Sequence, residues 1–131
     1  MAGYQPSEIP PATVSGVVDG EMTNAVVLTS QAVSTPGPDA SVHLVGLVQL
    51  TTGASVTEVM VRINQWDGGI GPQVGNTIYI TAAANTIYTI PFDVTDTPGE
   101  VAGLEYTVSV QGSNATTNGT VHYAVIGGVV Y

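Results

Sequence analysis

The sequence predicts an all-β domain: an antiparallel two-sheet sandwich, or jelly roll, with an extended N-terminal arm. Three observations carry this. Seven or eight apolar runs recur roughly every 8–15 residues, separated by turns bearing Gly and Pro. Most runs alternate apolar and polar residues, the period of a half-buried strand. No segment carries the apolar repeat of an amphipathic helix, and the runs are rich in Val, Ile, Thr and Tyr, which suit a pleated sheet.

Residues 1–23 form the arm, and residues 24–131 the sandwich. Pro6, Pro10 and Pro11 fix φ and lack an amide donor, which favours extended chain over helix. Val14, Val17 and Val18 are able to add a short edge strand. The arm is either a loose terminus or a segment that docks on a partner through Tyr4, Pro6, Ile9, Pro10 and Pro11.

Residues 25–33 read as the first solid strand, ended by the turn chemistry of Pro36, Gly37, Pro38 and Asp39. In residues 41–51, Val42, Leu44, Val48 and Leu50 share one face and Val45 and Leu47 the other. A strand apolar on both faces belongs in the middle of a sheet. Residues 56–66 alternate cleanly, with Val59, Val61 and Ile63 inward and Glu58, Met60, Arg62 and Asn64 outward. A Gly-rich loop follows at 67–72. Residues 76–82 and 85–94 look like a hairpin that sets Ile78 and Ile80 against Tyr88, Ile90 and Phe92. Pro91 assigns the second of these to an edge or a bulge. Leu104, Tyr106, Val108 and Val110 face inward on the next strand, and a polar loop spans 112–119.

The last run, residues 119–131, is again apolar on both parities. Val121, Tyr123, Val125, Val129 and Tyr131 take one side, and Ala124, Ile126 and Val130 the other. It is expected in the centre of a sheet, close to strand 41–51.

Composition bounds the function. The 131 residues suffice for one core. Ten acids oppose one base, Arg62, for a net charge of -9, yet 44% of residues are hydrophobic, so the chain folds rather than staying disordered. One cation is too few for phosphate contacts, so neither nucleic acid nor an anionic membrane is an expected partner. The absence of lysine fits a saline habitat. Without cysteine there is no disulfide or thiolate site. The first residues lack the basic and apolar regions of a signal peptide, so synthesis in the cytoplasm is expected. The acceptor patterns at Asn114 and Asn118 read as chance in a Thr-rich chain.

No constellation marks an enzyme or a cofactor site. His43 and His122 sit mid-strand without a nucleophile and acid at triad spacing. Asp93, Asp96 and Glu100 fall short of the six or more oxygens calcium takes; turn-forming aspartates are the simpler reading, and Asp67 lacks the other ligands of a calcium loop. Arg62 is either a cross-strand partner of an acid or one half of an interface ion pair. Trp66, beside the Gly-rich loop, is a core plug, a contact anchor or a sugar-stacking platform.

The more telling feature is apolar excess. A two-layer sandwich covers one face of each sheet, yet two strands are apolar on both. The second face then meets the folded-back arm or other copies of the chain. Self-association would put Ala124, Ile126 and Val130, or the opposite row with Tyr123, together with Val45 and Leu47, at a subunit interface.

The ending Thr120-Val-His-Tyr-Ala-Val-Ile-Gly-Gly-Val-Val-Tyr131 resembles the last strand of C1q/TNF-like jelly rolls, where a doubly apolar terminal strand lines a threefold axis. The run Thr97-Pro-Gly-Glu-Val-Ala-Gly-Leu-Glu-Tyr-Thr-Val-Ser-Val-Gln111, with the loop ending in Asn118 and Gly119, is similar to small jelly-roll proteins of tailed phages, several of them capsid decoration or cement proteins. The resemblance implies a non-enzymatic homotrimer on the outer capsid surface of a bacteriophage virion. It also implies the major capsid protein as partner, a proline-bearing arm that contacts it, and no cofactor. The alternative is a tail-fibre or receptor-binding module that engages a cell-surface glycan through Trp66, the adjoining glycines and exposed tyrosines.

Overall fold

A computed structural model describes residues 7–21, 23–54, 56, 58–112 and 118–131, with side chains described for 7–13, 26–54, 56, 58–112 and 119–131. Among the described residues eight strands follow one another: β1 (Ser7–Glu21), β2 (Thr23–Thr29), β3 (Val42–Thr52), β4 (Glu58–Trp66), β5 (Ile70–Thr81), β6 (Ile87–Asp96), β7 (Glu105–Gly112) and β8 (Asn118–Val130). They form two four-stranded sheets, ordered β1-β8-β3-β6 and β2-β7-β4-β5.

The pairing is nested. β4 pairs with β5, β3 with β6, β2 with β7 and β1 with β8, all antiparallel. A chain doubled back on itself at the β4–β5 turn and then rolled gives this order. The roll closes where β3 meets β8 and β4 meets β7. This is the jelly roll that the strand count predicts. β3 and β8, the two strands apolar on both faces, are neighbours in the middle of one sheet, as expected from their patterns.

The core lies between the sheets. Val42, Leu44, Val48 and Leu50 of β3 meet Val59, Val61 and Ile63 of β4 and Tyr106, Val108 and Val110 of β7, all buried. Each such side chain contributes about 1.5–3 kcal/mol through burial. Gly46 on β3 is required by close approach: a Cβ there would overlap the Val125 carbonyl and the Phe92 ring.

Three expectations need correction. First, the segment read as an arm is extended but not separate. Residues 7–21 are β1, the edge strand along β8, and Ile9 is in the core at 3% exposure. The prolines that argued for an arm suit an edge strand equally well, because Pro10 and Pro11 sit at a bulge between Ile9 and Ala12. Second, β5 and β6 are no hairpin; they belong to different sheets. Their connection crosses the sandwich end and is held by Thr52, whose hydroxyl donates to the Ala83 carbonyl at 2.6 Å and accepts from the Thr86 amide at 3.0 Å. The hairpin is β4–β5, turning at Gly68 with φ 69°. Third, β8 does not keep one parity. A bulge at His122 puts Val121 on the same side as Ala124, Ile126 and Val130. The expected loop at 112–119 lies largely outside the described residues.

Three of the four edge strands carry proline: β1 at Pro10 and Pro11, β5 at Pro72 and β6 at Pro91. Each removes a donor that another chain's strand would need, so the edges resist sheet extension.

Candidate functional site

The outer face of the β1-β8-β3-β6 sheet is built by alternation. Core residues take every second position of β3, so Val45, Leu47 and Gln49 point outward. Register then sets Val45 beside Gly127 and Asp93, Leu47 beside Val125 and Pro91, and Gln49 beside Tyr123 and Thr89. The centre of an outer sheet face is therefore apolar, with Val45 at 40% and Tyr123 at 37% exposure. Of the expected interface residues, Val45, Leu47 and Tyr123 lie together on this face. Ala124, Ile126 and Val130 do not: at 0%, 0% and 3% exposure they fill the core behind it. The outward residues of β8 are Tyr123, which is exposed, and Val125 and Val129, which are half-buried.

Beside the ridge runs a groove of about 550 Å³, walled by Val45, Val125, Val129 and Pro11, with Glu8 at its rim. Gly127 makes the floor. Its missing side chain leaves the space, and a Cβ there would come within 3.2 Å of the Ile9 carbonyl. Of the arm residues expected to bind a partner, Pro11 lines this groove and Pro10 is exposed nearby, Ile9 is buried in the core beneath it, and Tyr4 and Pro6 lie outside the described residues.

Charge is sparse here. Among described side chains the face carries only Glu8, Asp93 and His43, and His43 Nε2 is bonded to Asp93 Oδ1. His122 is bonded to the Thr51 hydroxyl at 2.6 Å. The two histidines thus have separate structural partners. No cluster of three or more metal-ligating side chains occurs among the described residues. Asp93 and Asp96 point to opposite sides of β6. Asp96 Oδ2 accepts from the Tyr106 hydroxyl and from Gln65 Nε2, both at 2.8 Å, and so ties β6 to the opposite sheet. Burial, reinforced by this hydrogen bond and the adjacent carboxylate charge, pushes the Tyr106 phenol far above its ordinary value.

The opposite outer face, on β2-β7-β4-β5, is polar. Arg62 donates to Gln111 Oε1 on the adjacent strand β7 at 2.7 Å. Trp66 is half-buried on this face, opposite Glu105 and Ile70, rather than a core plug. Thr107 and Ser109 also point this way. The alternation predicted solvent there, yet both are buried: β7 lies between β2 and β4, with the longer Asn64 and Arg62 of β4 beside them.

No protein-family model matches the sequence, and no curated protein matches it significantly. Solved structures do match. A chain of the T13 IBDV viral particle, from a study of icosahedral viruses, superposes with a TM-score of 0.55 at 11% identity, over 95% of this chain and 31% of that one. A chain of the infectious bursal disease virus Gt strain gives 0.51 at 12% identity, over 96% and 35%. A xylan-binding module covers 96% of this chain and 97% of its own at a TM-score of 0.45 and 12% identity, a likeness too low to carry weight. The chain spans about a third of the viral chains it matches. At these identities the likeness shows the fold: a jelly roll of the kind found in viral particles.

Proposed function

We propose that this protein is a structural, non-enzymatic component of a virion: a decoration protein that assembles as a homotrimer on the outer capsid surface, with the major capsid protein as its partner. The observation that carries the reading is the apolar outer face of the β1-β8-β3-β6 sheet. Its occupant is a second copy of the chain. Copies that each carry a net charge of -9 repel one another. Among the described side chains this face holds only Glu8 and the His43-bonded Asp93 as acids, so apolar contact is gained here against little like-charge repulsion. The prolines on the edge strands support association by face rather than by edge pairing. The resemblance to phage cement proteins adds the capsid lattice as partner and threefold symmetry. On this reading the glycine-floored groove and Pro11 lie at the margin of the trimer, open to a capsid chain.

Cosedimentation with cognate capsid shells tests it. The wild-type chain is expected to pellet with shells. Leu47→Asp, which buries a charge in the proposed contact, is expected to abolish pelleting while leaving the β-sheet circular dichroism intact. Equal pelleting of wild type and Leu47→Asp, or none by either, would count against the proposal.

A further inference from the structure

We infer that the outer face of the β2-β7-β4-β5 sheet is a binding site for a neutral glycan. This does not depend on the virion reading: the face lies on the other side of the sandwich from the proposed assembly surface.

Alternation on β4 puts Met60, Arg62, Asn64 and Trp66 on one outward row. Register adds Tyr79 opposite Met60 and Gln73 opposite Asn64. The row therefore has an aromatic residue at each end. Tyr79 is 62% exposed and Trp66 half-buried. Six residues of strand separate their positions, about 20 Å at the rise of a β-strand. That length matches an oligosaccharide of several units lying along the sheet.

Between the rings the face offers amides and hydroxyls. Gln111 accepts from Arg62 at 2.7 Å, Asn64 donates to the Gly71 carbonyl at 3.0 Å, and Gln73 donates to the Thr77 hydroxyl at 3.0 Å. These bonds fix the side chains in place, and each amide keeps further donors and acceptors beyond them. Thr107 Oγ1 and Ser109 Oγ are buried on this same face, at 0% and 1% residue exposure, and neither has a hydrogen-bond partner among the described residues. Such groups are uncommon in folded proteins and call for a reason. A ligand rich in hydroxyls supplies one where the flanking Asn64 and Arg62 side chains swing aside to admit it.

The chemistry selects the occupant. Sugar hydroxyls both donate and accept, as amides and hydroxyls do, and the C–H faces of sugar rings stack on aromatic side chains. Charge selects within the class. Arg62 stands mid-row, bonded to Gln111, but Glu58 and Glu105 lie toward the two ends and the chain carries -9, so an acidic polymer meets net like charge.

Affinity electrophoresis of the full chain tests this, in native gels that contain hydroxyethyl cellulose, xylan, dextran or alginate. At least one neutral polysaccharide is expected to retard the protein, and alginate is not. Tyr79→Ala, at an exposed position, is expected to weaken that retardation about tenfold while leaving the melting temperature unchanged. Thr107→Val is expected to weaken it too while raising the melting temperature, since it removes an unsatisfied buried hydroxyl. No retardation by any neutral polysaccharide, retardation by alginate alone, or wild-type behaviour of Tyr79→Ala would overturn the inference.

Discussion

Ile126→Ala is expected to destabilise the fold by about 3 kcal/mol, in the range for emptying a buried aliphatic site. Val125→Ala, one residue away, is expected to cost about 1 kcal/mol or less, the scale of a strand-propensity change, and to weaken self-association. The contrast follows from β8. Ile126 is fully buried between the sheets, while Val125 points outward beside Leu47 and the groove. Urea unfolding at low protein concentration reads the first effect without a contribution from association, and sedimentation at high concentration reads the second. Similar unfolding costs for both variants would mean that the assignment of core and outer face on β8 is wrong.

Tyr106→Phe is expected to cost about 1.5–2 kcal/mol near pH 7, because it deletes a hydrogen bond to a carboxylate that joins the two sheets. Its pH dependence is more diagnostic. The folded chain holds the phenolic proton well above the ordinary tyrosine value, and the unfolded chain releases it near pH 10. Above pH 10 the unfolded state thus binds fewer protons, and stability falls with rising pH. The slope from this one group is about 1.4 kcal/mol per unit. Below pH 10 both states keep the proton and the contribution is fully present. In Tyr106→Phe that component of the alkaline slope should vanish. An unchanged slope between pH 10 and 11 would show that Tyr106 ionises as readily in the folded chain as in the unfolded one.

The fold was legible where side-chain period and burial agree. β3 and β4 each bury one parity, so their inward residues could be read directly; on β7 the inward row was readable too, although Thr107 and Ser109 of the other row are also buried. β3 and β8, apolar on both parities, were placed together at the centre of a sheet for the same reason. The misses share a physical cause: pairing partners are not encoded locally. Ile78 and Tyr88 sit on strands separated by a short polar link, which looks the same whether the strands pair or cross to opposite sheets. Thr52, which anchors the crossing, carries no mark in the sequence. Pro10 and Pro11 disqualify a central strand but do not separate an arm from an edge strand with a bulge. The bulge at His122 shifts the parity of Val121 and the residues before it, so the pattern of β8 showed two apolar faces without showing which was buried. This is why Ala124, Ile126 and Val130 were expected as interface candidates although they are core. Arg62 and Asn64 were readable as outward by alternation, while Trp66 stayed open between a core plug, a contact anchor and a stacking platform. Their alignment with Tyr79 and the orphan hydroxyls of β7 depends on register, which only the folded chain supplies.

The central claim is that the apolar outer face of the β1-β8-β3-β6 sheet joins copies of this chain. Light scattering on the purified protein tests it most directly. A solution mass about three times the 13.3 kDa of one chain is expected, falling to a single chain mass in Leu47→Asp. A wild-type protein that stays at one chain mass across the concentration range would contradict the claim.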